Sequence, residues 1–203
     1  MKPHTPETKQ DIKDTPANPS REEAEKAVET LIRWAGEDPS AEGLEKTPAR
    51  VVRAFEEHFA GYREDPDTLL GPDFEPAEGY KDYVSLTHIP VYSHCRHHLH
   101  PILGHAHIAY WPGNHLAGLS KIARVVQSFC KKMVSQESLT TDIRDCLDRN
   151  IKPQGCAVII EARHLCITTR GVKSPDIQTR TASYSGIFDQ DEQVRQRFLS
   201  SLK

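Results

Sequence analysis

The sequence has no long hydrophobic run and no excess of positive charge. No apolar stretch among its 203 residues reaches the ~20 residues that a transmembrane helix needs, and the N-terminus lacks the apolar segment of a secretory signal. The formal net charge of −3 argues against general affinity for nucleic acid. We therefore expect no membrane and no nucleic-acid partner, and we expect any polyanionic ligand to be held by a local basic cluster.

Cysteine is also scarce, with five residues at uneven spacing. An odd number of cysteines without a secretory signal is typical of a reducing compartment, where thiols serve as metal ligands or core residues. We therefore expect a cytoplasmic location. The hydrophobic content of 37% is low but sufficient for one core, especially if further surface is buried between subunits.

The composition changes along the chain and divides it into regions. The first residues carry four prolines and almost nothing to bury, which predicts a disordered tail. Ser20 and Glu23 then form a capping-box pattern, and Thr47 followed by Pro48 predicts the N-cap and first residue of a second helix. A connection rich in proline, glycine and acidic residues follows from Gly61. We predict a tail, a helical region and a larger domain over residues 1–19, 20–79 and 80–203.

The larger domain shows both strand and helix periodicity. Two hairpins are predicted, the first from Tyr83–Tyr92 with Gly104–Trp111, the second from a strand starting at Ala157 with Thr179–Ser185. Helices are predicted from Gly118, over Gln136–Arg149 and over Glu192–Leu202. Cys130, beside the apolar stripe of the first of these, is predicted to be a packing residue. The order of elements indicates an α+β fold with an antiparallel sheet.

A cluster of metal-ligand residue types lies between the two strands of the first hairpin. Cys95, His97 and His98 contain a Cys-x-x-His spacing, which suits two ligands of one zinc ion. Cys166 is the candidate third ligand, and in a strand it would share a face with His164. Three protein ligands leave a position for water, as in a catalytic site. The same residues could instead form a closed four-ligand structural site, or bind no metal.

Several charged residues occur at helix starts. Ser120 is a candidate N-cap, and Lys121 and Arg124 add positive charge where backbone N–H groups point outward, which suits a phosphate. An ordinary capped helix with solvated cations explains them equally well. Arg50 and Arg53 lie three apart on the second helix, where a solvated face is the alternative.

Two further patterns bear on a binding site. Glu137 falls in the first turn of its helix, where the dipole favours a carboxylate even without a ligand. If the strand from Ala157 continues to Arg170, then His164, Cys166 and Arg170 share one face. A structural zinc site does not need such a surface.

Five blocks in this order resemble GTP cyclohydrolase I from about Arg21 to Leu202. They are Thr47-Pro48-x-Arg50-Val51, Cys95-x-His97-His98, Gly118-Leu119-Ser120-Lys121-x-x-Arg124, Gln136-Glu137-x-Leu139-Thr140 and His164-x-Cys166-x-x-x-Arg170-Gly171-Val172. The resemblance implies the tunnelling fold, an antiparallel sheet with helices packed on one side and sheets joining into a barrel across subunits, over residues 80–203. It also implies a homodecamer with interfacial active sites. Family members convert GTP to 7,8-dihydroneopterin triphosphate and formate, the first step of tetrahydrofolate and related pterin biosynthesis.

The resemblance also implies roles for individual residues. Cys95, His98 and Cys166 match the zinc ligands, and the zinc activates the water that attacks C8 of the purine. His97 and His164 match the catalytic histidines, which shuttle protons. Glu137 matches the guanine-reading carboxylate, with Gln136 beside it. The triphosphate is held by Ser120, Lys121, Arg124 and Arg170, with Arg50 and Arg53 reaching in from a neighbouring subunit.

The chain departs from the family pattern at three positions. Arg96 stands where the family usually has glutamate, and Ser174 and Ile177 stand at usual lysine and serine positions. Arg96 motivates an alternative function, a catalytically weak homologue that binds nucleotide or pterin as a regulatory or assembly subunit. A third possibility is a related tunnelling-fold enzyme acting on another purine or pterin, but the reductases of that fold lack this zinc set.

Overall fold

The structure is a computed structural model that describes residues 18–71 and 74–202, so the predicted tail lies almost wholly outside the described residues. The helices are α1 (Arg21–Ala35), α2 (Thr47–His58), α3 (Pro66–Leu70), α4 (Leu119–Cys130), α5 (Gln136–Ile151), α6 (Leu165–Thr168), α7 (Ile187–Gln190) and α8 (Glu192–Ser200). The strands are β1 (Glu75–Pro76), β2 (Val84–Cys95), β3 (Pro101–Trp111), β4 (His115–Leu116), β5 (Met133–Val134), β6 (Gly155–His164) and β7 (Thr179–Tyr184). Among the described residues, no helix combines the length and apolarity needed to cross a membrane.

The chain forms two compact units, which divide between Glu56 and Glu57. In the first unit, the predicted capping box is present, since the backbone N–H of Ser20 donates to Glu23 (2.7 Å) and that of Glu23 donates to the Ser20 hydroxyl (3.2 Å). An ion pair of 3.0 Å between Arg21 and Glu56 joins α1 to α2. The prediction of Thr47 as N-cap is wrong by one residue, because Thr47 already belongs to α2.

The segment that follows Glu57 contributes to the core of the second unit. Residues after Gly61 were predicted to be a surface connection, but α3 lies here and its Leu70 is buried in the core. A backbone N–H of Gly61 donates to the carbonyl of Lys131 (3.1 Å), which ties this segment to the end of α4. The proposed boundary between functional regions at residue 79 stays a prediction.

The second unit contains a five-stranded sheet in the order β5-β2-β3-β6-β7. Both predicted hairpins are present, as β2 pairs antiparallel with β3 and β6 with β7. The sheet is nevertheless mixed, because the short β5 pairs parallel with the end of β2, placing Val134 opposite Cys95. A register shift between Leu86 and Ile89 interrupts the first hairpin. The fold class is α+β, as predicted.

Helices cover both faces of this sheet. On one face, α4 and α5 bury Ile122 and Leu139 against strand residues such as Ile160. On the other face, Phe188 of α7 and Phe198 of α8 form a second cluster. The prediction of helices on one side is therefore correct only for α4 and α5. Burial from both sides explains why β6 begins with a continuous apolar run rather than an alternating one.

The condition under which His164, Cys166 and Arg170 would share one face, a strand continuing from Ala157 to Arg170, is not met. Strand β6 ends at His164, and the chain turns directly into α6. On the side of β3, His164 pairs with Ile102, and the strand β3 begins only one residue earlier, at Pro101. Since proline has no N–H to offer, residues beyond His164 lack a ladder partner there, and a helical turn satisfies their backbone instead.

Candidate metal centre and active site

The loop after β2 holds two imidazoles beside a buried thiol. The backbone N–H of Cys95 donates to the carbonyl of His100 (2.8 Å), and the carbonyl of Cys95 accepts from the N–H of Leu99 (2.9 Å). This closes a tight loop in which Leu99 has a φ of +54°. The Nδ1 atoms of His97 and His98 consequently lie 3.7 and 3.9 Å from the Cys95 sulfur.

The one-turn helix α6 brings a second thiol to this loop. Cys166 is buried, and its sulfur, the Cys95 sulfur and a ring nitrogen of His98 all lie within 4.8 Å of one another. Cys166 lies on a helical turn and not on a strand, so it does not share a strand face with His164. The helical turn nevertheless places Cys166 beside Cys95. In the described part of the chain, this is the group of side chains whose spacing suits a metal ion.

The donor set fits a zinc ion. Burial, and then the neighbouring Cys95 thiol, raises the pKa of Cys166, so two thiols crowd together where a bound cation would stabilise their thiolates. Two thiolates and one imidazole are ligands that zinc prefers, and three ligands leave a fourth tetrahedral position. His164 is not among the residues whose ligand atoms converge within 4.8 Å, and its Nε2 contacts the carboxamide oxygen of Gln136 at 2.8 Å instead. The geometry therefore favours an open site over the four-ligand alternative that includes His164.

Strand β5 places the start of α5 beside the loop that holds Cys95, His97 and His98. The backbone N–H of Arg96 donates to the carbonyl of Val134 (3.0 Å), and Ser135 follows as the N-cap of α5. Glu137 is exposed in the first turn of α5. Burial lowers the pKa of His164, and the negative charge of Glu137 opposes this shift, so the two side chains are close. The carboxylate of Glu137, the imidazole of His164 and the metal-ligand cluster of Cys95, His98 and Cys166 thus lie at one end of the sheet.

Gln136 lies at the same helix start but is buried, with 1% of its surface exposed. Its carboxamide nitrogen donates within the protein, to Ile160, Thr179 and Thr181, and its oxygen faces His164. The predicted contact of Gln136 with a substrate stays a prediction. Within the chain, the contacts of its side chain point to support of His164, a relationship that the spacing of residues in the sequence did not reveal.

Arg170 and Arg96 lie near the same end of the sheet. Arg170 is exposed after α6, and its charge partly offsets the raised pKa of Cys166. Arg96 is exposed in the loop that holds Cys95, His97 and His98. Burial and Asp145 raise the pKa of Asp142 on α5, and the positive charge of Arg96 partly offsets this rise. Arg96 therefore has an acidic neighbour on α5. Ser174 donates its backbone N–H to the carbonyl of Ile167 (3.1 Å).

The candidate phosphate residues of α4 lie at another end of the sheet. Helix α4 begins at Leu119 with Gly118 as N-cap, so the prediction of Ser120 as N-cap is wrong. Val84 and Tyr110 line a common cavity with Gly118 and Leu119, which places the first turn of α4 beside their end of the β2–β3 hairpin. Cys95 lies at the opposite end of β2. Within one chain, the first turn of α4, which carries Ser120 and Lys121, therefore lies away from Cys95, His98 and Cys166. Arg124 follows one turn later on α4.

Arg50 and Arg53 lie on α2, in the first unit. Both side chains belong to a helix that carries no acidic residue in its first turn. Their participation in a binding site stays a prediction.

A three-donor centre of this type, flanked by imidazoles able to carry protons, is typical of zinc-dependent hydrolases. Comparison with known proteins narrows this class to one family. The family model described as GTP cyclohydrolase I matches residues 24–203, and the chain belongs to that family.

Curated relatives agree over most of their length. The chain is 52% identical over 185 residues to GTP cyclohydrolase 1 of Maricaulis maris, covering 91% of this chain and 90% of that protein. It is 48% identical to GTP cyclohydrolase 1 of Hyphomonas neptunium (92% and 91% covered) and 44% identical to that of Sinorhizobium fredii (95% and 94% covered). Among solved structures, the archaeosine synthase QueF-Like in the apo form covers 52% of the chain, and 94% of its own, at 12% identity and a TM-score of 0.41, a likeness too low to bear on the fold.

Proposed function

We propose that this protein hydrolyses the imidazole ring of GTP at C8, releases formate and forms 7,8-dihydroneopterin triphosphate, the first step of tetrahydrofolate and pterin biosynthesis. The observation that carries the proposal is the convergence of Cys95, His98 and Cys166 within 4.8 Å, in a member of the GTP cyclohydrolase I family. Proteins 44–52% identical to this chain bear the name GTP cyclohydrolase 1.

Cys95, His98 and Cys166 would hold the metal, a zinc ion. When bound, zinc lowers the pKa of a coordinated water to roughly 7 and so supplies a hydrolytic nucleophile near neutral pH. The thiols are buried and the imidazole is exposed, so the site is anchored in the core and accessible from the loop.

His97 and His164 would move protons to and from the ring nitrogens of the purine as the imidazole opens. The Nδ1 of His97 lies 3.7 Å from the Cys95 sulfur, and its ring is exposed. Burial lowers the pKa of His164, so this imidazole is neutral near pH 7 and can accept a proton.

Glu137 would select guanine. Its two carboxylate oxygens match the N1–H and N2–H donors of guanine, a pair that adenine does not offer. The carboxylate is exposed at the start of α5 and close enough to His164 to influence its pKa. A guanine bound there would present its imidazole ring to the histidines.

The triphosphate would be held by Arg170, by the hydroxyl of Ser120 and the cations Lys121 and Arg124 of α4, and by Arg50 and Arg53 of α2. Because the first turn of α4 lies at the far end of the hairpin from Cys95, we propose that a second copy of the chain supplies the groups of α4, together with Arg50 and Arg53. Cationic side chains beside free N–H groups suit a phosphate.

Self-association is consistent with the open edges of the sheet. Within the described residues, β5 covers only the last two residues of β2, and β7 has a sheet partner on one side. Open strand edges invite pairing with another copy. We propose a homodecamer of the tunnelling-fold type, in which sheets join across subunits into a barrel, and a cytoplasmic location. The alternative of a weakly active binding subunit is not favoured by the family comparison.

The test is GTP turnover by purified protein whose zinc content has been measured. Formate release and pterin fluorescence after oxidation should appear, disappear with a chelator and return with added zinc. Protein that carries full zinc but forms no product from GTP would contradict the proposal, and Arg96→Glu would then be the variant to examine for restored activity.

A further inference from the structure

Gln136 and His164 form a contact whose direction can be determined from the groups around it. The Oε1 of Gln136 lies 2.8 Å from the Nε2 of His164. The Nε2 of Gln136 lies 3.0 Å from the carbonyl of Ile160 and 3.1 Å from both the carbonyl of Thr179 and the hydroxyl of Thr181. The partners of the carboxamide show whether its oxygen or its nitrogen faces His164.

Two of the three partners settle the orientation directly. The carbonyls of Ile160 and Thr179 can only accept hydrogen bonds. A reversed carboxamide would direct its oxygen at both carbonyls, inside the core, with no donor between them. The NH₂ group of Gln136 must therefore face the carbonyls.

The third partner gives the same answer independently. The hydroxyl of Thr140 lies 2.7 Å from the backbone carbonyl of Gln136 and 2.6 Å from the hydroxyl of Thr181. Because that carbonyl only accepts, Thr140 donates to it, and Thr181 must then donate to Thr140. The hydroxyl proton of Thr181 is thereby used, so Thr181 can only accept from Gln136.

We propose that Gln136 is a positioning residue that holds neutral His164 in the tautomer with its hydrogen on Nε2. An amide oxygen only accepts, so the His164 nitrogen that faces it must donate. The bare nitrogen is then Nδ1, and His164 accepts and returns protons through that atom. The imidazolium form keeps the same Nε2–H, so the contact with Gln136 persists in both charge states. The catalytic part of this inference rests on the proposed function; the tautomer itself does not.

The first experiment is ¹⁵N NMR of histidine-labelled, zinc-loaded protein without GTP, with the His164 signals assigned by their loss in His164→Gln. At a pH where His164 is neutral, Nε2 should give the signature of a protonated ring nitrogen and Nδ1 that of a bare one. The opposite assignment would overturn the proposal. This readout needs no activity, so it decides the tautomer even if GTP is not turned over, in which case only the proposed function fails.

The second experiment compares Gln136→Leu with Gln193→Leu. Gln136→Leu removes the acceptor, so it should give a mixture of His164 tautomers and lower kcat for GTP about tenfold or more, as part of the roughly 10²–10⁴-fold that acid–base catalysis provides. Gln193→Leu makes the same chemical change at an exposed position of α8, so tautomer and kcat should stay as in the wild type.

The division between kcat and KM distinguishes positioning from substrate contact. A positioning role predicts a loss in kcat with KM for GTP little changed. A raised KM with unchanged kcat in Gln136→Leu would overturn the proposal and return Gln136 to the group of substrate-binding residues. If Gln136→Leu does not fold, the NMR measurement on the wild-type protein still supports or overturns the tautomer.

Discussion

The sulfurs of Cys95 and Cys166 lie within 4.8 Å of each other although a third strand separates the strands that carry them to this point. Cys95 ends β2, and Cys166 follows the end of β6. Strand β3 lies between β2 and β6 and begins at Pro101. The backbone pairing with β3 ends at Pro101 and Ile102, so both chain segments can fold over the start of β3.

Loss of the Cys166 thiol should weaken zinc binding without unfolding the protein. Cys166→Ala removes one of three donors, and affinity for zinc should fall at least about tenfold. Zinc content by mass spectrometry and titration with a competing chelator measure this. Cys130→Ala is the matched control, because Cys130 is a buried thiol whose pKa burial raises to about 12, and it should retain full zinc. Equal zinc content in both variants would argue against Cys166 as a ligand.

Removing the charge of Glu137 should abolish guanine selection. Glu137→Gln keeps the size of the side chain but replaces one acceptor oxygen by a donor, so kcat/KM for GTP should fall roughly 100-fold or more while zinc stays bound. Steady-state kinetics with GTP and zinc analysis on the same sample measure both. Asp145→Asn makes the same charge change on α5 and should have little effect. Unaltered turnover in Glu137→Gln would exclude the role given to Glu137.

The replacement of glutamate by Arg96 should be a tolerated variation. Arg96 is exposed, and its positive charge lowers the pKa of Asp142, so Arg96→Glu would add a further acidic group near Asp142 and Asp145. The pKa of Asp142 should rise further, with a stability change within about 0.5 kcal/mol, as is usual for surface sites. Activity should change by no more than about twofold. A large gain in kcat with Arg96→Glu would instead identify Arg96 as the cause of weak catalysis.

Acidification should destabilise the fold through His107. Burial, and then the nearby His88, lowers the pKa of His107 below its ordinary 6.5, against the opposing effect of Glu161. A lowered folded-state pKa means that the unfolded chain takes up the proton first. The contribution of His107 to stability is thus present above about pH 6.5 and is lost as the pH falls from there through the lower folded-state value.

Thermal unfolding midpoints at pH 7.5 and 5.5 test this relationship. The decline between the two conditions should be smaller in His107→Gln than in the wild type, because the variant has no imidazole to protonate at this buried position. His115→Gln, which removes an exposed histidine on β4, should keep the wild-type decline. An identical decline in all three proteins would contradict the role of His107.

The sequence by itself determined the elements whose signals are local. Helix periodicity and the capping box located α1, α4 and α5, and alternation located both hairpins, because these depend on neighbours within a few residues. The spacing of Cys95 and His98 is equally local, so two of the three metal donors could be identified directly from the sequence. The family's five blocks then supplied the remaining candidates by position.

Tertiary structure decided what depends on distant partners. The turn at His164 results from the start of β3 at Pro101, a partner that no pattern within residues 157–170 reveals. The family resemblance placed Gln136 among the substrate-binding residues. In the fold, its carboxamide nitrogen donates to Ile160, Thr179 and Thr181, and its oxygen therefore faces His164. A hydrogen-bonding group takes its role from the donors and acceptors that surround it, and only the folded chain brings these together.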